Sequence, residues 1–566
     1  MYAMTQARSN SLPFRIELLT VFLLGSFVRI AFVHVHPAIY GGDTLARIMN
    51  ADRILLAYQL PSLQLLIYLA NLVSGDPLLI RYLMSLVGAL AGVAFYLFSA
   101  TLLDRTTARL ANLFFIFNPF LLVHSIVPYQ EILMLLFLCL GLHCLLRSTS
   151  VPPCTRGDLR GVEEIDTRTN HSLTTLSKEG ERRLQPSIGW ASLFLGLACL
   201  TRYEAWVIAA TAGLYYARTE LSGRSSRNYL RLLVKTIALF GWAPILWILL
   251  HRGVSPQGTY VLEGPASWAR LWRIPYVAAM ALVHAGPVVG LLAVFGLLTF
   301  WKSSLWHKWE IQMVLGAAAL LMLSLVFSAH GVAPDPQRYV TDREAHWFLL
   351  FPFWAAALGL MDIQQRLLFK GDSSHSKTLI ASQRLRVTVS CFVLILAVVW
   401  GVAQTDRYIK RLLTDQNLNL DYAVAQHLEK GLPPGSKALI FAKPLPSEAT
   451  QDYFDRVSRQ GGTAALEVAR RQLAELNSGP LDYSRIAVNT HLRKDQLVDA
   501  SKLRVDTPDA ESFLSQNHVG LAAIFSNYPT QAAETRHLLD YVNQRGKPQA
   551  TLRDGALQVS IVEVRF

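Results

Sequence analysis

The chain has 566 residues, of which 52% are apolar and only 16% are charged. Because soluble domains carry about 25% charged residues, this composition argues against a purely soluble protein, and the high hydrophobicity excludes a disordered one. The five cysteines include no C-x-x-C pair, which argues against zinc ribbons and thioredoxin-type redox chemistry. The formal charge of +13 follows the pattern of a membrane topology signal, so we expect no nucleic-acid partner.

Apolar runs that suit membrane helices recur through the first 404 residues. A spanning helix needs about 20 mostly apolar residues. We predict eleven spans, near 15–34, 79–103, 108–127, 131–147, 187–201, 204–217, 233–250, 284–302, 310–329, 346–363 and 387–404. The run Leu60–Val73 is too short to span and predicts a re-entrant or interfacial helix.

The lysines and arginines of the connecting segments indicate the orientation. With the N-terminus inside, the inside segments carry 23 basic residues, whereas the outside segments before the last span carry 8. An odd number of spans then places everything after about Thr405 outside. We therefore expect a multi-pass protein of a bacterial plasma membrane, with a cytoplasmic N-terminus.

Two segments differ from the spans in composition. The polar segment 148–186 has mixed charges and no apolar period, which predicts a mostly disordered cytoplasmic loop. In the tail 405–566, KALIFAK, RIAVN, VGLAAIFS and ALQVSIVEVRF are typical of strands, and AVAQHLEKGLPPGS, ATQDYFDRVSRQ, AALEVARRQLAEL and QAAETRHLLDYVNQR of helices. We predict a mainly α, polytopic helix bundle over 1–404, with a long first outside loop at 35–78, and a small extracytoplasmic α/β domain over 405–566.

Polar groups at membrane depth are the most informative ones for function, and here they cluster on the predicted outside. Asp43 follows two glycines just after the first span, and glycines permit a tight turn that could aim a carboxylate at the membrane face. Capping of the helix that follows would also explain Asp43. Glu131 opens a span behind Pro128, where the helix dipole alone would favour a carboxylate.

Two further pairs lie on the same side. Arg202 and Glu204 stand in CLTRYEAW between two short apolar halves, where the pair could simply neutralise itself. Arg343 and His346 precede a late span, where an interfacial belt of polar and aromatic residues is the structural explanation. The position of all these residues on one side favours a functional explanation.

The order of these motifs resembles the glycosyltransferase C superfamily, and within it the polyprenyl-phosphate-sugar enzymes of the mannosyltransferase and aminoarabinose-transferase type. The resemblance covers roughly residues 15–404, and P-Y-Q-E and L-T-R-Y-E are its sharper motifs. The W-W-D-x-G motif of oligosaccharyltransferase catalytic subunits is absent. Thr44, not Glu, follows Asp43, unlike the Asp-Glu pair of protein O-mannosyltransferases, which disfavours a protein acceptor.

The resemblance implies an inverting transfer outside the cytoplasm, from a polyprenyl-phosphate-linked sugar to a hydroxyl of a lipid, glycan or protein. Asp43 would be the general base, and Glu131 the next candidate. Arg343 and His346 would bind the donor phosphate, with Arg202 as a further candidate.

The resemblance also implies supporting roles and leaves alternatives open. Glu131 and Glu204 would orient the acceptor or the basic groups, and the Leu60–Val73 segment would form a wall of the lipid groove. No cofactor is demanded, although Asp43, Glu131 and Glu204 could ligate a divalent metal. The alternatives are a polysaccharide polymerase or ligase of similar fold, and a lipid or solute transporter, although the internal repeat typical of transporters is not evident.

Overall fold

The structure is a computed structural model, and it describes residues 12–38, 42–54, 60–74, 76–149, 188–222, 229–254, 271, 273–327, 345–369, 376–415, 418–442, 481–492, 494–500, 510–526, 536–554 and 557–565. The predicted loop 148–186 lies almost entirely outside these ranges.

Together with the 3₁₀ helix Ser304–His307, seventeen α-helices form the first part of the described chain. They are α1 Leu12–Val35, α2 Gly42–Met49, α3 Pro61–Val73, α4 Pro77–Leu102, α5 Arg105–Ile116, α6 Pro119–Ile126, α7 Gln130–Thr149, α8 Ile188–Cys199, α9 Glu204–Ser222, α10 Tyr229–Phe240, α11 Trp242–Val254, α12 Arg273–Ala285, α13 Pro287–Lys302, α14 Trp309–Phe327, α15 Ala345–Phe348, α16 Leu350–Phe369 and α17 Ser376–Asp415.

Within the described ranges, five helices are long and apolar enough to cross a membrane: α1, α4, α7, the stretch His346–Arg366 and the stretch Thr388–Lys410 of α17. Two bent pairs, α5 with α6 and α10 with α11, raise the number to seven if each pair is one span. The chain is therefore an integral membrane protein, but the predicted number of eleven spans is not confirmed. The short helix predicted at Leu60–Val73 is present as α3.

Breaks just before a proline interrupt two of the predicted spans. The axis bends by 60° between α5 and α6, where the Asn118 side chain accepts a hydrogen bond from the Leu121 amide at 3.1 Å and Pro119 opens α6. The predicted run 284–302 breaks between α12 and α13, where Gly286 adopts a positive φ of 94° ahead of Pro287. Proline starts a helix readily because its missing amide hydrogen is not needed in the first turn.

The membrane helices pack through small residues and expose apolar ones. A Cβ on Gly296 would lie 1.6 Å from the Ala355 carbonyl oxygen, so α13 and α16 meet backbone to backbone. Large apolar side chains point outward along the bundle, for example Phe27 at 72% and Trp301 at 74% exposure. Such a surface suits lipid.

The tail forms a five-stranded sheet with helices on both faces. Its elements are α18 Leu418–Gly431, β1 Lys437–Phe441, α19 Leu481–Val488, β2 Leu497–Asp499, α20 Ala510–Gln516, β3 Val519–Phe525, α21 Arg536–Arg545, β4 Lys547–Asp554 and β5 Leu557–Glu563. The strand order is β2-β1-β3-β5-β4, in which β1 pairs in parallel with β2 and β3, whereas β5 pairs antiparallel with β3 and β4.

Strand alternation separates two cores in this sheet. Ala438 and Ile440 pack in one core with residues of α18 and α19, whereas Leu439 and Phe441 pack in the other with residues of α20 and α21. A mainly α membrane bundle with a small α/β unit after it confirms the predicted fold class. The predicted boundary at residue 404 falls within α17, and the outside location of the tail stays a prediction.

The structure corrects one predicted strand of the tail. The first four residues of RIAVN end helix α19 and do not form a strand, and Arg485 among them forms an ion pair of 3.4 Å with Asp421 of α18. A run of five mostly apolar residues is too short for the spacing of its apolar side chains to distinguish a strand from a buried helix. Strands β2 and β4 were not predicted, and the predicted helices ATQDYFDRVSRQ and AALEVARRQLAEL lie outside the described residues.

The tail also packs against the membrane part. Helix α19 contacts α2, the helix that bears Asp43. The Met49 side chain, at the end of α2, packs against the core of the membrane bundle and against the tail core that α18 and α19 form.

Candidate active site

Helix α2 is held against the turn that precedes α7. The Thr44 hydroxyl donates to the Pro128 carbonyl at 3.3 Å, and Arg47 Nη2 donates to Gln130 Oε1 at 2.8 Å. Asp43 lies in the first turn of α2, and its side chain is outside what the structure describes. Because residues four apart share a helix face, Asp43 stands on the same face of α2 as Arg47.

The other end of α2 is fixed by a glutamine of α3. Gln64 is fully buried, and its Nε2 donates to the carbonyls of Arg47 at 3.2 Å and Asn50 at 2.8 Å. An eight-residue helix is marginal without tertiary contacts. The position of Asp43 is therefore set by contacts of α2 with α3, with α7 and with the tail.

Glu131, Arg202 and Glu204 form one ion-pair cluster beside that turn. Arg202 binds Glu204 through two nitrogens, with Nε donating to Glu204 Oε2 at 2.9 Å and Nη2 donating to Oε1. Its remaining terminal nitrogen, Nη1, donates to Glu131 Oε1. The Glu131 side chain is fully buried, while those of Arg202 and Glu204 are 12% and 18% exposed.

Hydrogen bonds to α3 hold the turn that carries Arg202. The Ser62 amide donates to the Leu200 carbonyl at 3.0 Å, and the Ser62 hydroxyl donates to the Leu197 carbonyl at 3.2 Å. On the other side, Trp206 Nε1 donates to the Cys199 carbonyl at 2.9 Å. The same short helix therefore supports both α2 and the cluster.

With both carboxylates ionised, this cluster has a formal charge of −1. A buried ion pair is costly to break, because removing one partner leaves a charge in a medium that solvates it poorly. Arg202 binds both Glu131 and Glu204, and it therefore holds two carboxylates that are distant in sequence close together.

Arg81 joins the two backbone segments that lead to Asp43 and Glu131. It is fully buried, its Nη1 donates to the carbonyls of His36 at 2.7 Å and Ala38 at 3.0 Å, and its Nε donates to the Ile126 carbonyl at 2.9 Å. Carbonyl oxygens at these distances stabilise a buried guanidinium by charge-assisted hydrogen bonds. Arg81 thus fixes the two segments relative to each other.

His346 lies in an aromatic cluster that adjoins the same turn. Its ring centroid is 4.4 Å from that of His124 and 4.5 Å from that of Phe120, and Phe120 also stacks on His284 at 4.4 Å. The His124 ring lies 5.0 Å from Tyr129, two residues before Glu131. All three histidines are buried.

The structure therefore brings together some of the sequence-predicted residues. Glu131, Arg202 and Glu204 are in direct contact, and the helix of Asp43 packs beside them. His346 lies in the neighbouring aromatic cluster, and Arg343 lies outside the described residues. In the part of the chain that the structure describes, no group of three or more His, Cys, Asp or Glu side chains suits a metal ion.

Sequence reasoning missed Arg47, Arg81, His124 and His284. The spacing of Asp43 and Arg47, four residues apart in GGDTLAR, was the available signal for a shared helix face. Arg81 stood inside an apolar run, and a charged residue there is itself a functional indication. The two histidines had no local motif, because residues distant in sequence form their cluster.

Among known proteins, solved structures resemble this chain in fold, at low sequence identity. No protein-family model and no curated protein sequence matches the chain. Solved structures of ArnT from Cupriavidus metallidurans match at 12% identity. The structure bound to undecaprenyl phosphate covers 98% of both chains with a TM-score of 0.49, and the apo structure covers 97% of this chain and 98% of that one with a TM-score of 0.46.

The archaeal oligosaccharyltransferase AglB from Archaeoglobus fulgidus, in complex with an inhibitory peptide and a dolichol-phosphate, also matches at 12% identity. The match covers 91% of this chain and 70% of that chain, with a TM-score of 0.44. Both proteins are members of the superfamily that the motifs resemble. At these identities and TM-scores, the activity of this chain has to be argued from its own residues.

Proposed function

We propose that the protein is a membrane glycosyltransferase that transfers a sugar from a polyprenyl-phosphate donor to an acceptor hydroxyl on the extracytoplasmic face, with inversion. The observation that carries the proposal is the buried Glu131–Arg202–Glu204 cluster next to the helix of Asp43. The charged groups lie at helix ends, at the start of α7 and between α8 and α9, and we place them at the membrane face, where a donor with its tail in the bilayer would present its phosphate.

In the proposed reaction, Asp43 accepts the proton of the acceptor hydroxyl while the oxygen of that hydroxyl attacks the anomeric carbon of the donor sugar. The bond from that carbon to the phosphate oxygen breaks, and the lipid phosphate leaves with the electron pair. A positioned carboxylate contributes about 10²–10⁴-fold to such a step. Attack opposite to the leaving phosphate inverts the anomeric configuration.

The roles of the other residues follow from their contacts. Arg202 donates to two carboxylates, so we assign it to positioning Glu131 and Glu204 rather than to the donor phosphate. Arg343 and His346 remain the proposed phosphate ligands. His346 is fully buried among aromatic rings, so its ring has to leave that cluster for a donor to contact it.

A transfer assay tests the proposal with the full-length protein in proteoliposomes. Radiolabelled hexoses on undecaprenyl phosphate and on dolichyl phosphate are the probes, since these carriers occur in the similar solved structures. We expect a labelled lipid or glycan product and release of the polyprenyl phosphate. Movement of labelled donor across the bilayer without any product would instead support the transporter alternative.

The outside location of the tail needs a separate test. Pro434 is exposed in the turn before β1, and Ser304 is exposed at the start of the 3₁₀ helix Ser304–His307 between α13 and α14, which we place inside. In a background without native cysteines, Pro434→Cys should react with an impermeant thiol reagent in intact cells, and Ser304→Cys only after permeabilisation. The opposite pattern would reverse the proposed orientation.

A further inference from the structure

A cavity of about 680 Å³ lies where the tail meets the membrane part. The end of α2, one side of α3, the start of α4 and the segment 487–492 of the tail form its walls. Its volume falls in the range of about 300–1,000 Å³ of small-molecule sites. We propose that this cavity binds the acceptor, and that the acceptor is a glycolipid with an uncharged, hydroxyl-rich head group.

The lining of the cavity contains both apolar and polar residues. Ile48, Ile67 and Ala70 supply an apolar wall, whereas Asp52, Asp76 and other polar side chains supply hydrogen-bonding groups. A mixed lining of this kind suits an amphiphile, whose head group needs hydrogen-bond partners and whose linkage to the tail needs apolar contact.

The charge of the lining selects among head groups. The described lining contains two aspartates and one histidine but no Lys or Arg. Ionised carboxylates only accept hydrogen bonds, so they match the hydroxyl groups of a sugar and repel a phosphate. An uncharged sugar head therefore fits the cavity better than a phosphorylated one.

Asp52 is the carboxylate most available to a ligand. Asp76 already has structural partners, since its Oδ1 accepts from the Leu78 amide at 2.8 Å and lies 3.6 Å from His491 Nδ1. The side chain of Asp52 is exposed. We assign Asp52 to binding head-group hydroxyls, and the Asp76–His491 pair to joining the membrane part and the tail at the cavity rim.

We place the cavity at the height of the membrane surface because of the exposed apolar side of helix α3. Its residues Leu65, Leu69 and Leu72 are 43%, 49% and 65% exposed, while Ile67 and Ala70 on its other side face the cavity. An exposed apolar stripe on a short helix is typical of a segment that lies in the membrane interface. A lipid could keep its chains in the bilayer beside α3 while its head group enters the cavity.

The cavity is also close to the proposed base. Ile48 lies five residues after Asp43 on α2, which corresponds to about 7.5 Å along the helix axis. A head group bound there has to extend along α2 and roughly 140° around it to bring a hydroxyl to Asp43. The inference thus rests on the proposed function, and it assigns to that function the class of its acceptor.

Binding can be measured independently of transfer, by photolabelling with an uncharged hexose lipid that carries a diazirine on the sugar. We expect wild-type labelling within 48–52, 67–80 or 487–492, competed by the unlabelled lipid but far less by its sugar-phosphate analogue or by the free methyl hexoside. Asp52→Asn should weaken labelling about tenfold, the loss of one hydrogen bond to a charged group. Asp52→Lys should shift the preference toward the sugar-phosphate lipid.

A cavity-filling variant supplies the matched control. Ala487→Trp fills the cavity from the tail side and should abolish labelling, whereas Ala550→Trp on β4, outside the lining, should leave it unchanged. Wild-type labelling in Ala487→Trp, or equal competition by the sugar-phosphate lipid, would overturn the inference. Specific labelling without any sugar transfer would instead contradict the proposed function and leave the binding site standing.

Discussion

Two carboxylate–arginine clusters lie at opposite ends of the membrane helices, and they differ in charge balance and in burial. At the start of α1, the Glu17 carboxylate accepts from Arg105 Nε and Arg109 Nη2, each at 2.9 Å, and from the Tyr96 hydroxyl at 2.7 Å. Beyond the other end of α1, the arrangement is reversed, since one guanidinium, that of Arg202, binds two carboxylates.

The first cluster combines one carboxylate with two arginines whose side chains are 34% and 50% exposed. Its formal charge of +1 and its contact with solvent suit a structural anchor on the side that we predict to be cytoplasmic. The second has a formal charge of −1, with its arginine only 12% exposed. Buried charged groups are costly and are typical of a functional site.

The largest expected effect concerns the base. Asp43→Asn should lower turnover roughly 10²–10⁴-fold without changing the melting temperature, because asparagine caps a helix as well as aspartate but does not take up the proton. Turnover and thermal melting of the purified variant in detergent check this.

Asp43→Ala is the control that separates catalysis from capping. A catalytic base predicts the same severe loss of rate in both variants. A pure cap predicts nearly normal turnover in Asp43→Asn and a loss of about 0.5–2 kcal/mol of stability in Asp43→Ala. The second outcome would give Asp43 a purely structural role, like that of the Glu17 cluster at the other end of the bundle. Glu131 would then become the next candidate for the general base.

Arg202→Gln should mainly reduce stability. It leaves Glu131 and Glu204 without their shared guanidinium, and breaking a buried ion pair in this way costs roughly 3–5 kcal/mol. The measurement is thermal or denaturant unfolding in detergent. The triple variant Arg202→Gln, Glu131→Gln, Glu204→Gln removes all three charges, so it should recover most of the stability but not turnover. Recovery of both would show that the cluster has only a structural role.

Several features of the fold could be predicted from the sequence because they depend on local pattern. Long apolar runs became helices, and the short run at Leu60–Val73 became the short helix α3. The breaks at Asn118 and Gly286 had local signals, since each residue precedes a proline. The number of spans could not be predicted from the sequence, because it depends on whether the two halves of a bent helix pair cross the membrane together as one span.

The candidate site was less accessible to such reasoning. The motif P-Y-Q-E and the motif L-T-R-Y-E pointed to Glu131, Arg202 and Glu204, which are indeed in contact. Nothing local showed that Arg81 binds the carbonyls of His36, Ala38 and Ile126, because those contacts span more than 40 residues of sequence. Such contacts exist only once the helices have packed.

A smaller effect is expected at Arg81. Arg81→Lys keeps the charge but loses the guanidinium, whose nitrogens bind the segments leading to Asp43 and Glu131 at the same time. The catalytic residues should then be misplaced, and turnover should fall up to about 10²-fold. Arg29→Lys is the matched control, because Arg29 is equally buried but donates to Ser125 and to the Gly25 carbonyl. Hydrogen exchange should rise at residues 42–54 and 127–133 only in the Arg81 variant. Equal exchange and equal rates in both variants would assign Arg81 to stability alone.

The smallest effect is expected at the more exposed cluster, that of Glu17, Arg105 and Arg109. In Arg109→Gln, Glu17 keeps its bonds to Arg105 and Tyr96, and an exposed ion pair contributes only about 0–1 kcal/mol. We therefore expect unchanged turnover and a melting temperature close to that of the wild type, with any loss shrinking at high salt as screening grows. Arg202→Gln, which also removes one guanidinium, should show a much larger and salt-insensitive loss. Equal losses in the two variants would mean that burial does not distinguish the two ends of the bundle.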